Sequence, residues 1–324
     1  MTDISKDVMA PPRSFLSQDA IQVFYRLLAA LLICAVLAVL SDSFLSLGNI
    51  LNVLRQASLT FFIASGLTLV VLTAGLDLSV GANVALSACI AGTVIHKTGS
   101  PALGILTGLA CGGLVGLLNG VMVTALRIPS FIATYGMLWV LNGLTYWYMA
   151  GETLHGFPAG FRQIGSGYLF GLPIPVYLLL VFLGIGTLFA QRTIWGQEIY
   201  AIGANPVAAR LSGIPVDLIK ISAYAFSGFM VAVTAIFLVG WLGAVTNSIG
   251  TGYELQVIAS TVIGGASLTG GFGSALGAGI GAILVETIRN ALLLAGVNPF
   301  WQGTFVGCFI LAAVLLERIR SVRR

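Results

Sequence analysis

The chain has 324 residues and a net charge of +4, and 58% of its residues are apolar whereas only 8% are charged. Soluble domains carry roughly 25% charged residues, so these charges are too few to cover a soluble surface of this size. The composition therefore excludes a cytosolic enzyme, a secreted binding module and a disordered chain. Glycine is frequent, at 41 residues, which is typical of helices that pack closely in a bilayer.

Ten stretches of the sequence are candidates for transmembrane helices, each of which needs about 20 mostly apolar residues. They are Leu27–Leu40, Ala57–Thr73, Val80–Ile95, Leu103–Leu126, Phe131–Ala150, Ile174–Ala190, Ile219–Leu242, Leu255–Leu268, Ala275–Ala295 and Gly303–Leu316. We therefore expect an all-α integral membrane protein of about ten spans. Residues 1–26 are an N-terminal tail, residues 27–318 the transmembrane domain and residues 319–324 a basic C-terminal tail. The first stretch is interpreted as a retained helix, because no A-x-A cleavage site of a signal peptide follows it.

The positions of the basic residues predict the orientation in the membrane. Of the 15 Lys and Arg residues, Arg289 lies inside a span, and Arg55, Lys97 and Arg162 lie on one side. The remaining 11 lie on the other side, which holds both chain ends when the number of spans is even. Because cytoplasmic loops are enriched in Lys and Arg, both termini are expected in the cytoplasm.

The segment Ala74–Gly81, between the second and third predicted spans, carries Asp77 and Ser79 among apolar residues. Either side chain can accept hydrogen bonds from the free backbone N–H groups at the start of the next helix. Capping of that helix is therefore one interpretation of the pair, and a role as a gate or hinge is the other.

The span Leu103–Leu126 has glycine at every fourth position, which places five glycines on one helix face. They are Gly104, Gly108, Gly112, Gly116 and Gly120. Another backbone can approach such a face closely, so the pattern indicates either a packing seam or a helix beside a moving translocation path. A shorter series, Gly273, Gly277 and Gly281, lies in the ninth predicted span.

The longest charged loop, Gln191–Lys220, has the start and stop signals of a short helix. Asn205 precedes Pro206, a residue favoured at the first helical position, and Gly213 ends the pattern after about one and a half turns. Such a helix exposes Arg210 and small alanines, and it is suited to docking into the groove of a partner. An ordinary connecting turn is the alternative.

Glu286 and Arg289 lie near the middle of the ninth predicted span, three residues apart and therefore on one helix face. Charges at that depth are costly and usually face a bundle interior or a water-filled cavity. With Asn290 beside them, they indicate either a polar wall of a substrate path or an ion pair that joins helices.

The sequence lacks the motifs of a membrane enzyme. It has no P-loop, and so no ATPase site of its own, and neither G-x-S-x-G nor H-E-x-x-H occurs. His96 and His155 have no partner at metal-ligand spacing. We expect no catalytic residue, no metal, no cofactor and no nucleic-acid partner.

Four passages resemble the ribose-type permease family, the membrane subunits of bacterial ABC importers for monosaccharides. They are Gly66–Gly81, Arg127–Thr134, Ala201–Ile214 and Gly252–Gly271. The likeness runs from about Phe44 to the C-terminus, in the order of the family. It implies a ten-helix bundle like that of the vitamin B12 importer permease, in the bacterial inner membrane, that carries a monosaccharide.

The resemblance also implies partners and residue roles. Two permeases, identical or paralogous, pack around a central path, with two ATPase subunits on the cytoplasmic side and a sugar-binding protein on the periplasmic side. The loop of residues 191–217 is then the part that couples to the ATPase. Its candidate residues are Gly203, Asn205, Ala208, Ala209, Arg210, Ser212 and Gly213. Asp77, Ser79 and Gly81 are placed near the path or gate, and Tyr253 and Glu254 toward the external mouth.

One departure from the family concerns Glu286 and Arg289, where relatives mostly carry small or amide residues. A role of this pair is then particular to this protein. The alternative function from another class is a secondary sugar transporter driven by an ion gradient, for which Glu286 is the only plausible coupling acid well inside a span.

Overall fold

The computed structural model describes residues 43–298 and positions 301, 303, 304, 307 and 308, and most of this part of the chain is helical. The helices are α1 (Leu47–Leu72), α2 (Val80–Thr98), α3 (Pro101–Thr124), α4 (Ser130–Met149), α5 (Ala159–Ser166), α6 (Ile174–Arg192), α7 (Ile194–Ala204), α8 (Pro206–Leu211), α9 (Val216–Leu242), α10 (Tyr253–Ile263) and α11 (Ala275–Leu294). Four two-residue strands are β1 (Leu154–His155), β2 (Tyr168–Leu169), β3 (Leu172–Pro173) and β4 (Ala244–Val245). β1 pairs with β4 and β2 with β3, both antiparallel.

Six of the described helices are long and apolar enough to cross a bilayer, which confirms an all-α integral membrane protein. They are α1, α2, α3, α6, α9 and α11. Helix α4 has the length of a span, 20 residues, but its polar and aromatic side chains make it less apolar than these six. The first predicted span and most of the tenth lie outside the described residues.

The eighth predicted span, Leu255–Leu268, is wrong as a continuous helix. Helix α10 ends at Ile263, and its 11 residues are about 16 Å long, little more than half of the ~30 Å hydrocarbon core. The chain continues to Ser274 as an irregular segment, in which Gly265, Gly270 and Gly271 adopt positive φ. Irregular backbone at this depth is tolerated where protein surrounds it, and single-sequence hydropathy does not reveal that surrounding.

Helix α9 lies at the centre of the bundle, and the five glycines of α3 pack on it and on α2. A Cβ atom at Gly112 would lie 2.5 Å from the carbonyl oxygen of Gly228, and one at Gly120 would lie 2.8 Å from Cα of Ile221. The backbones are thus too close for any side chain, which confirms the packing seam. In α11 only Gly277 and Gly281 face α10, because Gly273 precedes the helix.

The two ends of the bundle differ. At one end, α7 and α8 fold against the end of α1 and the start of α9 through a cluster of apolar side chains. The cluster comprises Leu72, Ile199, Ile202, Ala209, Val216 and Ile219. At the other end, the β1–β4 pair connects the segments that follow α4 and α9. We call these the α8 end and the strand end.

Candidate functional site

The loop at the α8 end forms the short helix that the sequence predicts. The Oδ1 atom of Asn205 accepts hydrogen bonds from the backbone N–H groups of Val207 and Ala208, each at 3.0 Å. These bonds satisfy donors that the helix itself leaves free. Ser212 follows the last turn, and Gly213 then reverses the chain with φ +84°.

Helix α8 has one anchored face and one open face. Ala209 is buried in the cluster below the helix, so the expectation that both alanines are exposed is wrong for this residue, whereas Ala208 is exposed. The exposed fractions of Val207 and Leu211 are 68% and 85%. Arg210 is exposed as predicted, but it is already paired, because its Nη2 atom lies 2.7 Å from Oδ1 of Asp217.

Gly203, near the end of α7, is a point of contact between three stretches of backbone. A Cβ atom there would collide with the carbonyl oxygen of Leu72 and would lie 2.8 Å from Cα of Gly271. The N–H group of Gly271 donates to the same carbonyl oxygen of Leu72 at 3.0 Å. The base of the α8 loop therefore touches the last residue of α1, directly before the irregular segment of residues 73–79, and it also touches the irregular segment of residues 264–274.

Asp77 and Ser79 lie in the first of these segments, almost completely buried. Oδ1 of Asp77 accepts from the backbone N–H and the hydroxyl of Ser79, at 2.9 and 2.6 Å. The Nδ2 atom of Asn119 donates to the Ser79 hydroxyl at 2.7 Å and lies 3.4 Å from both Asp77 oxygens. Side-chain capping of α2 is wrong for both residues: Ser79 is the N-cap residue but its side chain accepts no capping hydrogen bond, and Asp77 accepts from Ser79 rather than from an N–H group of the helix. Sequence reasoning missed Asn119, although a polar residue among the glycines of that span was a signal.

The structure brings Gly81 together with Glu254, which the sequence places far apart. A Cβ atom at Gly81 would meet the carboxylate of Glu254, and it would lie 2.7 Å from the carbonyl oxygen of Gly250. Glu254, Asn142 and Thr251 line a cavity of about 40 Å³ beside Gly81, with room for only a few water molecules. Tyr253, the first residue of α10, packs instead against the large apolar cluster of the bundle, which includes Phe61, Met230 and Val257.

Glu286 and Arg289 belong to a hydrogen-bonded cluster that joins three helices. The Thr60 hydroxyl of α1 donates to Oε1 of Glu286 at 2.5 Å, and the amide of Gln256 in α10 donates to the same oxygen. Arg289 Nη1 donates to Oε1 of Gln256 at 2.5 Å and lies 3.6 Å from Oε2 of Glu286. The predicted pairing is confirmed. Thr60 and Gln256 were missed, although both are polar residues inside predicted spans.

The two charged residues of this cluster differ in exposure. The side chain of Glu286 is 3% exposed and its partners lie on neighbouring helices, whereas the side chain of Arg289 is 34% exposed. Asn290 is occupied by two amide hydrogen bonds with Asn49 of α1, at 2.9 and 2.8 Å. Of the three residues, Arg289 is therefore the one with donor groups to offer to a ligand.

Among the described residues, no group of three or more His, Cys, Asp or Glu side chains is placed to hold a metal ion. The polar groups instead form small, closed clusters between helices.

Comparisons with known proteins agree on one family. Residues 49–314 match the model of the branched-chain amino acid transport system permease component. The chain is 38% identical over 296 residues to the ribose import permease protein of Bacillus subtilis (strain 168), covering 91% of this chain and 92% of the relative. It is 38% identical to the ribose import permease protein of Escherichia coli (strain K12), covering 90% and 92%. It is 33% identical to the galactose/methyl galactoside import permease protein of the same strain, covering 91% and 93%. No solved structure gives a significant match.

Proposed function

The chain belongs to the family of branched-chain amino acid transport system permease components, and we propose that it is the membrane subunit of a bacterial ABC importer for a monosaccharide. The single observation that carries the substrate class is the similarity to ribose and galactose import permeases along nine-tenths of both chains. A fructose import permease of Rhizobium meliloti is also 34% identical over 298 residues. Sugars rather than amino acids are therefore the proposed cargo.

The assembly that we propose contains two permeases, two ATPase subunits and an external sugar-binding protein, in a ten-helix fold like that of the vitamin B12 importer permease. ATP hydrolysis is assigned to the partner chain. The α8 end is assigned to the cytoplasm together with both termini. Support for this comes from the basic residues gathered at that end, which follow the positive-inside rule. They are Arg127, Arg192, Arg210 and Lys220.

Coupling is proposed to begin at the open face of α8. Val207 and Leu211 are apolar and exposed, and such residues suit burial in a groove of the ATPase subunit. Because Ala209 fixes α8 to α7, a displacement of α8 moves α7 as well. The backbone contact at Gly203 then carries this displacement to Leu72 at the end of α1 and to Gly271 in the irregular segment that follows α10.

The path or gate is proposed to include Asp77, Ser79 and Gly81 with the facing Glu254. Its support is that Asp77 and Ser79 lie in the irregular segment of residues 73–79, while Gly81 and Glu254 line a small cavity between α2, α4 and α10. Arg289 is proposed as a further polar contact for the sugar, with Asn290 positioned beside it, and Tyr253 as part of the external mouth. Glu286 is assigned to helix packing, because its carboxylate is held by Thr60 and Gln256.

The decisive experiment is reconstitution. The purified permease, with and without its ATPase subunit and binding protein, is placed in vesicles, and ATP-driven uptake of labelled ribose, galactose and fructose is measured. We expect uptake of one sugar that requires both ATP and the ATPase subunit. Uptake driven by an ion gradient without the ATPase would refute the proposal in favour of a secondary transporter, which the comparisons do not support.

The coupling role is tested in the same vesicles with Arg210→Ala combined with Gly213→Ala. We expect loss of uptake with normal membrane insertion, because Arg210 lies on α8 and Gly213 reverses the chain just after this helix. Arg192→Ala is the matched control, since Arg192 is also exposed at the α8 end but lies outside α8. Normal uptake by the double variant would contradict the coupling role.

A further inference from the structure

A cavity of about 310 Å³ opens at the α8 end, between the last turn of α3, the start of α9 and helix α8. Its lining residues are Val123, Thr124, Arg127, Pro206, Arg210, Val216, Asp217 and Lys220. Three of these side chains are basic and one is acidic, so the cavity carries an excess of positive charge. It is separate from the clusters around Asp77 and Glu286.

The positive charge of this cavity is only partly neutralised. Arg210 and Asp217 form an ion pair at 2.7 Å. Within the part of the chain that the structure describes, Arg127 and Lys220 form neither a hydrogen bond nor an ion pair through their side chains. Asp217 also attracts Lys220 electrostatically, without a direct contact, but three basic groups against one acidic group leave the cavity with an excess of positive charge, and such a site attracts an anion.

The backbone around Arg127 fixes the position of this residue at the end of α3. Arg127 adopts φ +54° three residues after the last residue of α3, where the Ile128 N–H donates to the Met122 carbonyl oxygen at 3.1 Å and closes the helix end. Glycine is the ordinary residue at this position of a helix end, because a Cβ atom is unfavourable there. The closed helix end therefore holds Arg127 beside the cavity that its side chain lines.

The depth of the cavity favours a lipid over a soluble anion. Thr124 is the last residue of the span α3 and Val216 is the first residue of the span α9, so the cavity lies where two spans leave the hydrocarbon core. Leu126 and Leu218, both in the adjoining segments, are 65% and 58% exposed. A molecule with a charged head and apolar chains matches both features.

We propose that this cavity binds the phosphate group of an anionic phospholipid, with Arg127 and Lys220 as its principal contacts. Basic pockets between transmembrane helices on the cytoplasmic side are suited to such headgroups. Arg210 completes the basic wall, and its pairing with Asp217 keeps it in place beside the headgroup. The site is independent of the sugar that is transported, but it rests on the proposed assignment of the α8 end to the cytoplasm.

The test measures lipid binding to the purified full-length protein in detergent, by native mass spectrometry with added phosphatidylglycerol or phosphatidylcholine. The variant is Arg127→Gln combined with Lys220→Gln, and the control is Arg192→Gln, which removes a basic residue of the same end outside the cavity. Each basic residue near a membrane surface is worth about fivefold in affinity for anionic lipid. We expect about 25-fold weaker phosphatidylglycerol binding by the double variant and no change in the control.

Further arms identify the bound species. Lys220→Arg keeps the charge and is expected to retain binding, and an unaltered thermal midpoint without lipid shows that the double variant is folded. Inorganic phosphate is tested by thermal shift, and equal protection by phosphate and by phosphatidylglycerol would assign the anion site to free phosphate. Equal phosphatidylglycerol binding by wild type and double variant would overturn the proposal. Loss of ATPase-subunit binding with unchanged lipid binding would also overturn it, and would assign the cavity to that partner.

Discussion

The adjacent glycines Gly112 and Gly113 of α3 give a sharp test of the packing seam. A Cβ atom at Gly112 would lie 2.5 Å from the carbonyl oxygen of Gly228 and 2.6 Å from Cβ of Ala232, whereas one at Gly113 meets nothing within 4 Å. Ordinary van der Waals contact begins at 3.4 Å, so Gly112→Ala forces α3 and α9 apart by roughly 1 Å. Overpacking of a tight interface costs about 1–3 kcal/mol.

Gly113→Ala is the matched control, because it has the same chemistry one residue away in the same helix. Alanine is favoured over glycine inside a helix by about 1 kcal/mol, so this variant is expected to be neutral or slightly stabilised. The assay is thermal unfolding in detergent, followed by the intrinsic fluorescence of the five tryptophans. We expect the midpoint of Gly112→Ala to fall by several degrees and that of Gly113→Ala to stay or rise. Equal midpoints would refute the inference that backbone contact at the glycine ladder holds these helices together.

Three further outcomes follow from the buried clusters and the α8 loop. Thr60→Val keeps the shape of the side chain but removes a hydrogen-bond donor to the buried carboxylate of Glu286. We expect the free energy of unfolding in detergent to fall by about 1–3 kcal/mol. Thr68→Val, whose hydroxyl bonds only within its own helix, is the control and should cost less. Asn119→Asp places a second carboxylate within 3.4 Å of the Asp77 carboxylate, and the two like charges repel each other. This variant should therefore be less stable than Asn119→Leu, and the reverse order would contradict the geometry of the cluster. Arg210→Ala should change the free energy of unfolding by less than about 1 kcal/mol, because both side chains of its ion pair with Asp217 are more than half exposed. A larger loss in the same assay would mean that the ion pair is shielded from water.

Much of the candidate site could be predicted from residues that are close to one another in the sequence. The Asn205-Pro206 start and the Gly213 stop place the α8 helix within one residue of its position, because caps and turns depend on neighbouring residues. The pairing of Glu286 with Arg289 follows equally from helix spacing. Their partners Thr60 and Gln256 lie on other helices, so no spacing rule along α11 identifies them.

The sequence by itself determined that this is a helical membrane protein with close helix contacts and one punctuated loop, because hydrophobicity, glycine spacing and cap residues act over one or two helix turns. Only the tertiary structure decided that α10 stops at Ile263, that Gly203 lies against Leu72 and Gly271, and that Glu254 faces Gly81. These features depend on which helices become neighbours. An irregular segment can lie at membrane depth only when neighbouring groups form hydrogen bonds with its backbone N–H and C=O groups. Those neighbours come from parts of the chain that are distant in sequence.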